Sequence, residues 1–218
     1  MSSSSLPPNL IPDISAFVTK CMASHDPSHN PQHVHRVVSL AKQILARETA
    51  RAASSTVYNA DVVHLAALLH DIGDRKYLSQ RLVYCVLVAH GADEALAEKV
   101  QMIVSHVSYT TEKTKPEEVS RLIRDGYPEL AIVQDADRLD AIGAVGIGRC
   151  FTFLGAKGKK FCPEGMWVMD NAIEHFEEKL VRLESMMKTE TGRDMARVRT
   201  ARLKEFQQWW ADEMNDVA

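Results

Sequence analysis

The chain has 218 residues, 45% of them apolar, and a formal net charge of -3, a composition that fits one globular domain with a sizeable core. The near-balanced charge gives no global reason to expect a nucleic-acid polymer or a membrane surface as partner, and no apolar run approaches the ~18 residues of a membrane span. Four cysteines without a CxxC pair fit reduced thiols rather than a disulfide framework.

The stretch Met1–Pro8 has neither the basic nor the apolar segment of a secretory signal. A cytoplasmic protein is expected, with the nucleus left open, residues 1–12 as a flexible N-terminus and 13–218 as a single domain. Ile14, Phe17, Val18 and Cys21 share one face of a short helix, after which Pro27 and Pro31 mark a loop. From Gln32 to about Arg51, residues Val34, Val37, Val38, Leu40, Ala41, Ile44 and Leu45 form a broad apolar stripe, which places His33 in the first helical turn. A third helix starts near Asn59, a good N-cap, and ends at His70-Asp71 before Gly73; it is apolar nearly all round and so is expected to be buried.

Tyr77 to His90 and Asp93 to Val107 predict two further helices separated by Gly91, and Pro116 to Arg124 a short one. A helix from about Leu130 carries Asp135, Asp137 and Asp140. The small residues of 143–148 permit close approach by a neighbour, and Gly155 to Gly165, with Lys157, Lys159 and Lys160, is expected to be a loop: a solvated one by default, a basic lid as the alternative. Asp170 to Met187 and Arg193 to Met214 complete an all-α pattern with no credible strand pairing.

Imidazole and carboxylate side chains together suit one first-row divalent ion that keeps a water, so His33, His70-Asp71 and the Asp137 cluster suggest metal-assisted hydrolysis. Each part has an ordinary alternative. His33 also suits a surface or capping role, His70-Asp71 an exposed helix end, and the three aspartates an acidic solvated face. Burying a charged pair at the end of so apolar a helix is costly without compensation, which a metal would supply.

In order, the segments Ser28-His29-Asn30-Pro31-Gln32-His33-Val34-His35-Arg36-Val37, Ala67-Leu68-Leu69-His70-Asp71-Ile72-Gly73 and Gln134-Asp135-Ala136-Asp137-Arg138-Leu139-Asp140 resemble the HD superfamily of metal-dependent phosphohydrolases, in its stand-alone branch. The similarity extends to Lys179-Leu180 and to 187–193, about residues 20 to 215 in all. It implies an HD-domain helical bundle, one divalent ion (Mn, Mg, Co or Fe) on His33, His70, Asp71 and Asp137, and hydrolysis of a small-molecule phosphate substrate, a nucleotide by class. Members of this branch split a nucleoside triphosphate to the monophosphate and pyrophosphate; phosphate release from a monophosphate is the other form.

On this resemblance Asp71 and Asp74 are the catalytic acids, Asp74 as general base or orienting group, with a surface acid at the helix C-terminus as its ordinary alternative. Arg36 and Lys76 are preferred over Arg75 as substrate cations, and Arg138 as a structural ion-pair partner. Thr191-Gly192-Arg193 opens the last helix as an anion site or simply as its cap. The chain departs from the pattern in having Asn30 where relatives often carry Asp, and in having His106. His106 with His90 leaves open a dinuclear phosphodiesterase or an iron oxygenase, and an inactive nucleotide-binding protein is a third reading. A homodimer is compatible with all of them.

Overall fold

The computed structural model describes residues 6–51, 56–72, 81–161 and 168–216. They form α1 (Leu10–Met22), α2 (Pro31–Ala50), α3 (Ala60–Leu69), α4 (Leu82–Ala89), α5 (Glu94–His106), α6 (Tyr109–Thr114), α7 (Pro116–Arg124), α8 (Glu129–Asp140), α9 (Gly143–Phe161), α10 (Asp170–His175) and α11 (Glu190–Asn215). A π-helical turn, Phe176–Leu180, and a 3₁₀ segment, Val181–Met186, run on from α10. The fold is all-α, and no strand occurs among the described residues.

Short polar side chains set the helix starts. Asn30 accepts from the Gln32 and His33 amides (3.1 and 3.3 Å) with Pro31 behind it, and Asn59 accepts from Asp61 and Val62 (3.0 and 3.2 Å). Asn30 therefore serves the helix that carries His33. At the centre, Val62, Val63 and Leu65–Leu69 of α3 are all buried, packed against α2, α5, α8 and α1. Removing the Leu65 or Leu69 side chain from such a place costs about 2–5 kcal/mol.

Three buried carboxylates tie the layers together through backbone amides. Glu48 accepts from Thr191 N and Oγ1 at 2.9 and 2.5 Å, so the N-terminus of α11 holds the protein's own carboxylate. Asp135 accepts from the amides of Lys188 and Thr189 (2.9 and 2.8 Å) and from Thr189 Oγ1 (2.8 Å), and Glu129 accepts from Asn59 N and Lys99 Nζ. Gly143, at φ +74°, makes the turn from α8 into α9, where its Cα faces Arg199.

Several boundaries differ from those expected. Leu10–Pro12 lie in the first turn of α1 rather than in a flexible N-terminus, because Leu10 is buried in the core. The stretch expected as a loop, Gly155 to Gly165, is helical through Phe161, and the rest of it lies outside the described residues. Just before it Cys150 and Leu154 are buried, and the Phe151 ring meets Phe176, Phe206 and Trp210 at 6.4, 6.1 and 5.6 Å, which anchors the helix that runs on into it. Tyr109–Thr114 is a helical turn that periodicity did not signal, and α11 begins at Glu190, capped by Thr189. Among the described residues no single helix is long and apolar enough to cross a membrane.

Candidate metal centre

His33 enters the site from the first turn of α2 and His70 from the end of α3. The Nδ1 of His33 lies 2.8 Å from Asp140 Oδ2, and the Nδ1 of His70 lies 2.8 Å from the Ala67 carbonyl. A carboxylate and a carbonyl only accept, so each Nδ1 carries a proton and each Nε2 is the nitrogen turned toward the other ring. Those two Nε2 atoms are 3.1 Å apart. Facing lone pairs at that distance repel unless a proton or a cation lies between them.

Asp71 Oδ2 is 3.2 Å from His33 Nε2 and 3.7 Å from His70 Nε2, and Asp137 Oδ1 is 3.7 Å from both. Despite its approach to His33, Asp71 Oδ2 lacks hydrogen-bond geometry and is a buried oxygen without a partner. Burial acts to raise the Asp71 carboxyl, but the neighbouring His70 and His33 overcome it and hold it below the usual carboxylate range. His33 is depressed by burial, yet Asp140 and Asp71 bring it up to about 8. The site thus calls for positive charge at its centre.

The donor set fits a divalent ion. Ligand bonds near 2.0–2.2 Å place neighbouring ligand atoms roughly 3.0–3.6 Å apart in tetrahedral or octahedral arrangements. One ligand atom each from His33, His70 and Asp71 lie within 4.8 Å of one another, with Asp137 alongside.

Asp140, buried, anchors the surrounding charges. It accepts from His33 Nδ1, from Arg36 Nε and Nη2 (2.7 and 3.0 Å) and from Arg149 Nη1 (3.0 Å), which hold its carboxyl far below the usual range against its burial. Arg149 Nε also donates to the Ser28 carbonyl at 2.8 Å, tying α9 to the loop before α2. On that loop Ser28 Oγ donates to Asp26 and so accepts, at 2.7 Å, from His29 Nδ1. The His29 ring lies edge-on to His33 and Phe153, and burial pushes its pKa down.

Of the site residues expected from sequence, His33, His70, Asp71 and Asp137 come together, and Arg36 adjoins them through Asp140. Asp74 and Lys76, with Arg75, lie outside the described residues. Arg138 donates to Glu112 and to the Met186 carbonyl, away from any ligand role. His106 is engaged by the Met102 carbonyl and Glu118, and His90 by the Val86 carbonyl. Neither belongs to the metal-capable group found among the described residues. A cleft of about 1060 Å³ lies at the far end of α2, lined by Arg51, Tyr58, Lys99, Arg124 and Arg193 among others. It contains none of the four ligand candidates, so donor chemistry rather than volume locates the centre.

A family model for the HD domain matches residues 32–142, a span that contains all four side chains and Asp140. The chain belongs to the HD domain family. Across this HD domain and beyond it, the chain is 36% identical over 191 residues to the uncharacterized protein YpgQ of Bacillus subtilis, covering 85% of this chain and 84% of that one. The crystal structure of Bacillus subtilis YpgQ in complex with ADP superposes with a TM-score of 0.70 at 32% identity, covering 94% and 95% of the two chains. An HD-superfamily hydrolase from Bacillus thuringiensis gives a TM-score of 0.67 at 27% identity, covering 94% and 96%.

Sequence reasoning did not find the parts of the site beyond the ligands. Arg149 sits in a segment notable only for small residues, and the Asp26-Ser28-His29 chain requires a loop geometry that no periodicity encodes. Asp140 was visible only as a neighbour of Asp137, although it supports His33 from a helix 107 positions away.

Proposed function

We propose that the chain is a metal-dependent phosphohydrolase acting on nucleotides, cleaving a nucleoside triphosphate to the monophosphate and pyrophosphate, or releasing phosphate from a monophosphate. The opposed Nε2 atoms of His33 and His70 at 3.1 Å, beside the unpartnered Asp71 oxygen, carry this reading. Membership of the HD family and the ADP complex of YpgQ support the substrate class.

His33, His70, Asp71 and Asp137 would hold one divalent ion, Mn, Mg, Co or Fe. Such an ion would polarise a phosphoryl oxygen and acidify a coordinated water. The chain's own residues supply the rest. Asp140 and the Ala67 carbonyl accept from the two Nδ1 atoms, so Nε2 is the nitrogen of each ring left to face an ion. Arg36 spends Nε and Nη2 on Asp140, so its remaining edge is the part open to a phosphate. Asp74, three residues after Asp71, is the proposed base or orienting group for the attacking water, and Lys76 a proposed phosphate contact. His29 is held by Ser28 in the Nδ1–H form beside His33.

Nucleoside mono-, di- and triphosphates incubated with Mn²⁺, Mg²⁺ and Co²⁺, with products separated and identified, test the reading. Release of pyrophosphate or phosphate only with metal supports it. Tight nucleotide binding without turnover under every metal would replace the enzyme by a nucleotide-binding protein.

A further inference from the structure

Arg149, Phe153 and Lys157 stand four residues apart on α9 and so share one face of it. Each meets the loop of residues 23–30 that joins α1 to α2. Arg149 Nε donates to the Ser28 carbonyl at 2.8 Å, the Phe153 ring meets the His29 ring edge-on at 5.7 Å, and Lys157 Nζ lies 3.6 Å from Asp26 Oδ2. The loop is braced from within as well. Asp26 Oδ1 accepts from the Ser28 amide at 3.0 Å and from Ser28 Oγ, and Ser28 Oγ accepts from His29 Nδ1 at 2.7 Å. Asn30, its last residue, caps the helix that carries His33.

Arg149 reaches further, to the candidate metal centre. Its Nη1 donates to Asp140 Oδ2 at 3.0 Å, and that same oxygen accepts from His33 Nδ1 at 2.8 Å. One guanidinium thus holds a backbone carbonyl just before α2 and the carboxylate at the end of α8. Asp140 is buried and the Arg149 side chain is 12% exposed, so both bonds lie largely out of water, which strengthens charge-assisted pairing. Arg36 also donates to Asp140, but it belongs to α2 with His33, and its bonds join α2 to α8. Arg149 brings in a third helix, α9, and the loop. A lysine could not do the same, because one ammonium on a flexible stem lacks the planar fork that spans two acceptors in fixed directions.

We propose that Arg149 is a positioning residue of the candidate metal centre. Its bridge from the Ser28 carbonyl to Asp140 sets the first turn of α2 against α8, and with it the place of His33 Nε2 opposite His70 Nε2 and of His29 beside His33. The Phe153 and Lys157 contacts hold the same loop from further along the stripe. For its consequence, an ion held tightly, the inference rests on the metal-binding reading of His33, His70, Asp71 and Asp137. Its mechanical part, a loop held against α8, does not.

Arg149→Ala and Arg149→Lys are compared with wild type for Mn²⁺ affinity by competition with a fluorescent chelator, for thermal midpoint, and for amide hydrogen exchange over residues 23–30 and over α3. The Ala variant is expected to bind Mn²⁺ roughly 10- to 100-fold more weakly, as loss of an outer partner of a metal ligand does, and to exchange faster at 23–30 with α3 unchanged. Millimolar guanidinium, far below denaturing concentrations, is expected to restore much of the affinity where the same concentration of sodium chloride does not. Arg149→Lys keeps a cation beside Asp140 and carries the test should the Ala variant fail to fold; it is expected to fold and still bind more weakly than wild type, because it cannot hold both acceptors. Wild-type Mn²⁺ affinity in either variant would overturn the proposal, in Ala because the bridge is then not needed and in Lys because a point charge then suffices. So would a loss in the Ala variant that guanidinium leaves untouched, which makes Arg149 a packing element rather than a bridge. If the wild type itself takes up no Mn²⁺, the metal reading of the centre fails, and hydrogen exchange then decides the proposal: faster exchange at 23–30 in the variants sustains it, and unchanged exchange overturns it.

Discussion

His33 Nε2 and His70 Nε2 face each other at 3.1 Å while both Nδ1 atoms are occupied by acceptors, Asp140 and the Ala67 carbonyl. Neither ring can relieve the contact by switching tautomer without losing a buried hydrogen bond. A proton shared between them or a bound cation resolves it, and Asp71 and Asp137 lie close enough to neutralise that charge.

Asp140 supports the centre without belonging to the proposed ligand set. Asp140→Asn replaces one of two acceptor oxygens by a donor, so His33, Arg36 and Arg149 can no longer all be satisfied, and it leaves the two arginines short of a counter-charge. Metal affinity, measured by competition with a fluorescent chelator, is expected to fall about 10- to 100-fold. Thermal unfolding is expected to show a loss of about 3 kcal/mol, because one member of a buried ion network is gone. Wild-type affinity in this variant would detach Asp140 from the centre.

Asp74→Asn is expected to keep the metal and lose rate, since the proposed role of Asp74 is toward water and not toward the ion. A general base or orienting group contributes about 10²- to 10⁴-fold, so kcat should fall into that range with unchanged metal stoichiometry. Full activity removes Asp74 from the mechanism.

Two glycines in helices should respond in opposite directions. A Cβ on Gly192 would lie 2.3 Å from Asp135 Oδ2 and 2.8 Å from Thr189 Oγ1, inside the staple that joins α8 to α11. Gly192→Ala is therefore expected to destabilise by about 2 kcal/mol or more. Gly148 is exposed on α9 with nothing within 4 Å of its Cβ position, and Gly148→Ala should stabilise by about 0.5–1 kcal/mol. Denaturant melts of both variants check the pair, and a stable Gly192→Ala would mean that the Asp135 staple yields freely.

Thiol chemistry probes the packing of α9. Cys21 and Cys85 are exposed, whereas Cys150 is buried and burial pushes its thiol up to about 11. A group raised this far stays protonated through neutral pH and becomes a thiolate only in strong base. In a Cys162→Ser background, a chromogenic disulfide reagent at pH 8 should titrate two thiols in the native protein and a third only on unfolding. Three fast thiols would show that α9 opens at Cys150.

Local forces left the clearest marks in the sequence. The α3 helix and its burial were readable because Val62 to Leu69, His64 excepted, are apolar and Asn59 caps the start. The four candidate ligands were readable because their order along the chain resembles a family pattern. The 155–161 helix was not readable. Its glycines favour a loop locally, whereas the stretch just before it, where Phe151 meets the rings of Phe176, Phe206 and Trp210, is anchored by packing between segments distant in sequence. For the same reason Asp140 could not be assigned: its meaning depends on His33, brought near by the packing of α2 against α8.

Calorimetric titration of Mn²⁺ into the metal-free wild-type chain and into His70→Ala tests the central claim most directly. One ion per wild-type chain, with tight binding abolished in the variant, is the predicted result. Equal stoichiometry and affinity in the two proteins would contradict it.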